Sequence, residues 1–153
     1  MNENDVLNFR RLSDNLLTSG QPTRDQFSFV RDLDCSLVVN LAMPDSEGFL
    51  PDEREVVESL GMKYVALPIF WDSPQLDDAR QLFDVLQSHS QDRVLVHCAK
   101  NMRVSALMFV YQTQFLKIDE ATALCDLHAI WTPNAVWQSY IAELRRDFST
   151  GAR

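Results

Sequence analysis

The run Val94-Leu95-Val96-His97-Cys98-Ala99-Lys100-Asn101-Met102-Arg103-Val104-Ser105 constrains the fold more than any other part of the chain. It reads as a short apolar strand, a polar loop and then, without a break, a long helix. That helix carries Val104, Leu107, Met108, Tyr111 and Phe115 on one face and Ala106, Phe109 and Val110 elsewhere. A helix that is apolar nearly all round belongs in the interior. A short strand apolar on both faces belongs to a covered, parallel sheet. In an open α/β sheet, ligands bind outside the carboxyl ends of the strands, where helix N-terminal amides point at the crevice.

The remaining segments supply that sheet. Phe9–Leu12 and Leu16–Thr18 read as two short strands around a Ser13-Asp14-Asn15 turn, and Thr23 with Gln26 has the capping-box spacing for a helix from Arg24 to about Asp32. Leu37–Leu41 reads as an interior strand. Pro51-Asp52-Glu53 opens a helix with acidic residues at the favourable end of its dipole, closed near Leu60 by Gly61. A strand at Lys63–Leu67 and a loop from Pro68 to Pro74 follow, then a helix from Gln75 to Ser88 with Leu76, Ala79, Leu82, Phe83 and Leu86 as its stripe. Arg93–His97 is the next strand. Asp119 to His128 reads as a helix, and Thr132-Pro133 as cap and first residue of the last one. Strands alternating with helices predict an α/β fold with a mainly parallel central sheet of about four to five strands flanked by helices.

At 153 residues the chain is expected to form one domain over 1–153, with loose ends at about 1–8 and 149–153. A net charge of −8 argues against nucleic acid as a partner. No signal sequence and no run long enough to span a membrane is visible, so a cytoplasmic location without membrane association is expected. The three cysteines, Cys35, Cys98 and Cys125, do not form a disulfide framework. Cys35 and Cys125 read as inert thiols. No His, Cys and carboxylate spacing resembles a zinc set, and no cofactor is expected. Monomer and homodimer are equally compatible with the sequence.

Cys98 carries the chemistry. A thiol between a strand end and a helix N-terminus, with Lys100 and Arg103 nearby, can have its pKa lowered from about 8.5 to roughly 3.5–7.5. The loop amides of Ala99, Lys100, Asn101, Met102, Arg103 and Val104 could cradle an oxyanion that a guanidinium grips through two oxygens. A thiolate so placed can attack phosphorus and form a phospho-cysteine for water to hydrolyse. The two steps need an acid and then a base. Asp72, in a neighbouring strand-end loop, fits that role, with Asp77 and Asp78 as alternatives in the first turn of a helix. Ser105 could donate to the sulfur and ease its departure. His97 reads as an orienting residue that bonds loop carbonyls.

His97-Cys98 followed by Arg103 and Ser105 resembles the signature loop of cysteine-dependent tyrosine and dual-specificity phosphatases. Ser19-Gly20-Gln21-Pro22, Val39-Asn40-Leu41 and Asn101 extend the resemblance, over about residues 9 to 145, to a bacterial phosphatase-like family of unknown function. Members of that family occur alone or fused to metallo-β-lactamase-like hydrolases. The resemblance implies a cysteine-phosphatase-like fold, a phosphorylated substrate and Cys98 as nucleophile. The signature has five residues between Cys and Arg and usually a Gly third after Cys, whereas here four residues separate Cys98 from Arg103 and Asn101 stands at the Gly position.

Aligning on Ser105 keeps the loop length and helix start, and is the register preferred from sequence. It puts Val104 at the arginine position and Arg103 about 100° away around the turn. Aligning on Arg103 shortens the loop by one residue. The sequence therefore leaves three readings: a phosphate-monoester hydrolase, a catalytically impaired phosphate-binding module, and rhodanese-like sulfur transfer through Cys98.

Overall fold

The computed structural model describes residues 1–149. Five strands form one sheet in the order β1-β2-β5-β3-β4. They are β1 (Arg10–Arg11), β2 (Leu16–Ser19), β3 (Leu37–Asn40), β4 (Lys63–Ala66) and β5 (Val94–His97). The two-residue β1 runs antiparallel to β2, and every other pairing is parallel. The α/β fold and mainly parallel sheet are as the sequence predicts.

Register places the site. Ser19, His97 and Asn40 are adjacent rungs at the carboxyl ends of β2, β5 and β3. The central strand therefore delivers Cys98, the next residue, to the middle of the crevice.

Alternation along the strands fills two layers. Leu17, Val38 and Leu95 face α1 (Arg24–Asp32) and α2 (Glu53–Ser59), where Phe27, Val30 and Val57 are fully buried. Leu16, Leu37, Val39, Val94 and Val96 face the other side, which holds α3 (Leu76–Ser88), α4 (Met102–Gln114), α5 (Glu120–His128) and α6 (Ala135–Asp147). Every residue of α4 from Arg103 to Gln112 is buried, so it is the central helix its composition predicts. Its large apolar side chains each contribute about 1.5–3 kcal/mol by leaving water. That burial anchors the loop in front of the helix.

Two local expectations change. The last helix does not start on Thr132-Pro133. Asn134 is its cap, with Oδ1 accepting from the Trp137 amide at 3.0 Å, while buried Pro133 lies outside and its carbonyl accepts from the Gln138 side chain. The first eight residues are not a loose end: Glu3–Asp5 form a capped 3-10 turn and Val6 is buried. Glu53, in the first turn of α2 as expected, turns inward and is 1% exposed. Residues 150–153 lie outside the described residues.

Candidate active site

Cys98 lies immediately beyond β5 and is 1% exposed. It lines a cavity of about 290 Å³ together with Ser46, Trp71, Ala99, Lys100, Met102 and Arg103, with Glu47 at its edge. A larger cavity of about 730 Å³ adjoins it, sharing Glu47, Ala99 and Lys100 and extending to Gln21, Arg24 and Leu50.

The loop backbone is built to meet an anion. Among the described residues, the amides from Ala99 to Val104 donate to no backbone or side-chain acceptor, the first intrahelical bond being Ser105 N–H to the Asn101 carbonyl at 2.9 Å. Buried backbone donors are almost always paired, so a run of free ones at a helix N-terminus is a ready anion site. Asn101, the residue before α4, contributes no side-chain cap and has φ 67°, in the left-handed region. Asparagine tolerates that conformation better than most residues, which explains how it stands at the position where the resemblance leads one to expect glycine. Its amide nitrogen donates to the Asn8 carbonyl at 2.9 Å and to Thr18 Oγ1 at 3.1 Å.

The register question has a structural answer. Val104 is fully buried in the core beneath the sheet's helix layer, and Arg103 lines the Cys98 cavity while being only 6% exposed. The preferred sequence register, with Val104 at the ligand, is therefore not the geometry adopted: the guanidinium side of the turn faces the site. Arg103 Nη1 donates to the Ile69 carbonyl at 2.9 Å, Nη2 reaches Ser46 Oγ at 3.4 Å, and the guanidinium carbon lies 6.0 Å from the centre of the Trp71 ring. These partners hold it beside the loop. Neither Ser46 nor Trp71 was among the residues singled out from sequence.

Asp72 is exposed and lines a second cavity of about 330 Å³ with Asp45, Ser46, Trp71 and Arg103. It therefore shares Ser46, Trp71 and Arg103 with the cysteine's cavity. The loop that carries it is fixed by indoles packed at a tilt. Trp71 lies 5.3 Å from Trp131 and 5.9 Å from Trp137, and Trp137 Nε1 donates to the Trp71 carbonyl at 2.8 Å. Asp77 and Asp78 serve α3 instead, Asp77 accepting from Gln81 and Asp78 from the Gln75 amide.

Ser105 does not reach the sulfur. Its hydroxyl donates to the Met102 carbonyl at 3.0 Å and accepts from Trp131 Nε1 at 3.1 Å, so both directions are occupied inside the fold. Lys100 is exposed, and its ammonium lies 3.7 Å from Glu47 across the cavity mouth. Cys125 is exposed on α5, away from the loop. Among the described residues no three His, Cys, Asp or Glu side chains gather where they could share a metal ion.

Behind the loop lies a polar cluster of which the sequence reading includes His97, as a residue bonding loop carbonyls, but not its partner Glu53. His97, wholly buried, has Nε2 2.6 Å from Glu53 Oε2 and Nδ1 3.3 Å from the Cys98 carbonyl. Glu53 Oε1 accepts from Gln21 Nε2 at 2.7 Å. Asn40 Nδ2 donates to the Tyr64 hydroxyl at 3.0 Å, and burial pushes that phenol up to about 12. The Ser-Gly-Gln-Pro element thus has a physical purpose. A Cβ on Gly20 would sit 2.8 Å from the Ala99 carbonyl oxygen, so only glycine lets β2 approach the loop. The Gln21 amide then donates to that same carbonyl at 2.9 Å.

A five-stranded, mostly parallel sheet that sets Cys98 at a strand end, before an uncapped and buried helix, defines a domain with the fold of the cysteine-dependent phosphatases. Comparison with solved structures agrees. A crystal structure from Shewanella putrefaciens CN-32, described as a candidate phosphatase of the DUF442 group, is 28% identical, with a TM-score of 0.85 over 95% of each chain. Pseudomonas aeruginosa TpbA in complex with phosphotyrosine has a TM-score of 0.73 at 18% identity, covering 94% of this chain and 91% of that one. The core catalytic domain of the PP-IP phosphatase SIW14 from Saccharomyces cerevisiae, in complex with citrate, has a TM-score of 0.74 at 16% identity with the same coverage. The last two show likeness of fold alone. No protein-family profile matches the chain, and no curated protein does.

Proposed function

We propose that the protein is a cysteine-dependent phosphate-monoester hydrolase of the tyrosine or dual-specificity type, with Cys98 as nucleophile. The observation that carries this reading is the convergence of Cys98 and Arg103 on one cavity, beside free amides at the N-terminus of α4. The Cys98 thiolate attacks phosphorus while the ester P–O bond breaks, and Asp72 gives its proton to the leaving oxygen. Water then attacks the phospho-cysteine with Asp72 as base, the P–S bond breaks, and inorganic phosphate and the thiolate are released. Arg103 and the loop amides hold the equatorial oxygens through both steps, where preorganised donors are most effective. The larger adjoining cavity offers space for the rest of the substrate.

The test is hydrolysis of a generic aryl phosphate. Wild type should turn over, Cys98→Ser should be inactive, and Asp72→Asn should lose roughly 10²- to 10⁴-fold. Equal rates for wild type and Cys98→Ser would overturn the reading. The occupied Ser105 hydroxyl favours a second reading, an impaired phosphate-binding module, because nothing there eases departure of the sulfur. That module would be protected thermally by tungstate or sulfate yet show no turnover.

A further inference from the structure

The buried pair behind the loop is not used in the reaction as written, and its hydrogen bonds fix the position of one imidazole proton. The Cys98 carbonyl can only accept, so His97 Nδ1 carries a proton. Nε2 faces Glu53 Oε2 at 2.6 Å, and the other oxygen of that carboxyl accepts from Gln21. The Tyr64 hydroxyl accepts from Asn40 and also neighbours Glu53, so its own proton is free for the same carboxyl. Donors aimed at both of its oxygens favour the carboxylate form of Glu53, and that form takes the second imidazole proton on Nε2.

We infer that Glu53 is a positioning residue for this site: its carboxylate keeps His97 doubly protonated, and the imidazolium draws the Cys98 carbonyl inward while adding positive charge behind the nucleophile. The groups around the imidazole come from every neighbouring element: Glu53 from α2, Ser19 and Asn40 on the flanking rungs of β2 and β3, and the Phe27 ring of α1 at 6.1 Å. Only Glu53 among them is charged. On the loop side Lys100 and Arg103 share the cavity with Cys98. Gln21 completes the arrangement by donating to the carboxyl oxygen that His97 leaves free.

The inference rests on the proposed function only for its effect on turnover, and its test does not require turnover. In the full-length wild-type protein, ¹⁵N NMR of the labelled histidine should show both His97 ring nitrogens protonated at neutral pH. Alkylation of Cys98 by iodoacetamide, located by mass spectrometry, should be about tenfold or more slower at pH 6 in Glu53→Gln than in wild type. The difference should vanish above pH 9. A merely structural role would slow the reaction equally at all pH values. Glu53→Asp, which keeps the charge, should restore the wild-type pH profile at least in part. A singly protonated His97 in the wild type would overturn the inference even if Glu53→Gln fails to fold. An alkylation profile of Glu53→Gln that tracks wild type would do so as well. Failure to hydrolyse any phosphate ester, with these results intact, would sink the proposed hydrolase and leave the role of Glu53 standing.

Discussion

Cys98 and Cys35 are both buried thiols at the ends of central strands, 1% and 5% exposed, and the sheet gives them opposite surroundings. Cys98 follows the carboxyl end of β5, where free amides and Arg103 meet a cavity. Cys35 precedes the amino end of β3 among Phe27, Val30, Val57 and Met62. Burial pushes its thiol up to about 12, and the nearby Arg93 only partly opposes that, its guanidinium being committed to the Asp14 and Leu33 carbonyls. Equal burial therefore does not give two cysteines the same surroundings. The direction of the strand beside each decides, because only carboxyl ends feed into helix N-termini.

The arginines break the comparison most strongly. Arg103→Ala should lower turnover roughly 10²- to 10³-fold and abolish thermal protection by tungstate, with a smaller loss of stability. Arg93→Ala should do the reverse, leaving kcat/KM within about twofold while removing about 1.5–3 kcal/mol of stability through two lost charged hydrogen bonds. If Arg103→Ala hydrolyses an aryl phosphate as fast as wild type, the two ends of the sheet do not differ as argued.

The second effect is on alkaline stability. The thiol of Cys35 ionises near its ordinary value of about 9 when unfolded and only near 12 when folded, so the folded state holds the extra proton. Its contribution is complete below pH 9 and is lost as pH rises towards 12. Urea unfolding from pH 8 to 11 should therefore show a falling stability whose slope is shallower in Cys35→Ala. Tyr64 and Tyr140, whose phenols burial also pushes up, keep their share of the slope.

The smallest effect belongs to Lys100. Its pairing with Glu47 is exposed on both sides, and such pairs are worth about 0–1 kcal/mol. Lys100→Ala should change stability by less than about 1 kcal/mol and raise KM modestly, an effect that 0.5 M salt should erase in wild type.

The sequence made the fold legible because periodicity survives in it. The all-round apolar α4, the β-branched β3 and the capping box at Thr23 each say what they become. At the site, the Cys98 loop and the Asp72 loop could be read because strand-loop-helix order alone brings them to the same sheet edge. What could not be read depended on the direction of single side chains. Whether Arg103 or Val104 faces the cavity turns on about 100° of one helical turn, and no composition rule resolves that. Glu53 looked like an ordinary dipole-facing acid, since nothing local distinguishes it from Glu55, and its partner His97 lies forty-four residues away. The Ser105 hydroxyl proton goes to the Met102 carbonyl in its own helical turn, while the Trp131 indole that donates to its oxygen arrives from another element.

The contacts of Asn101 reach beyond the loop. Asn8 accepts from its side chain and donates its own to the Lys100 carbonyl at 3.0 Å, while the Leu7 carbonyl takes the Gly20 amide. Leu7 and Asn8 thus form a clasp that fastens the Cys98 loop to the body of the domain. Practical handling follows from this: a change at Leu7 or Asn8 acts on the Cys98 loop directly, although Asn8 precedes Lys100 by 92 residues.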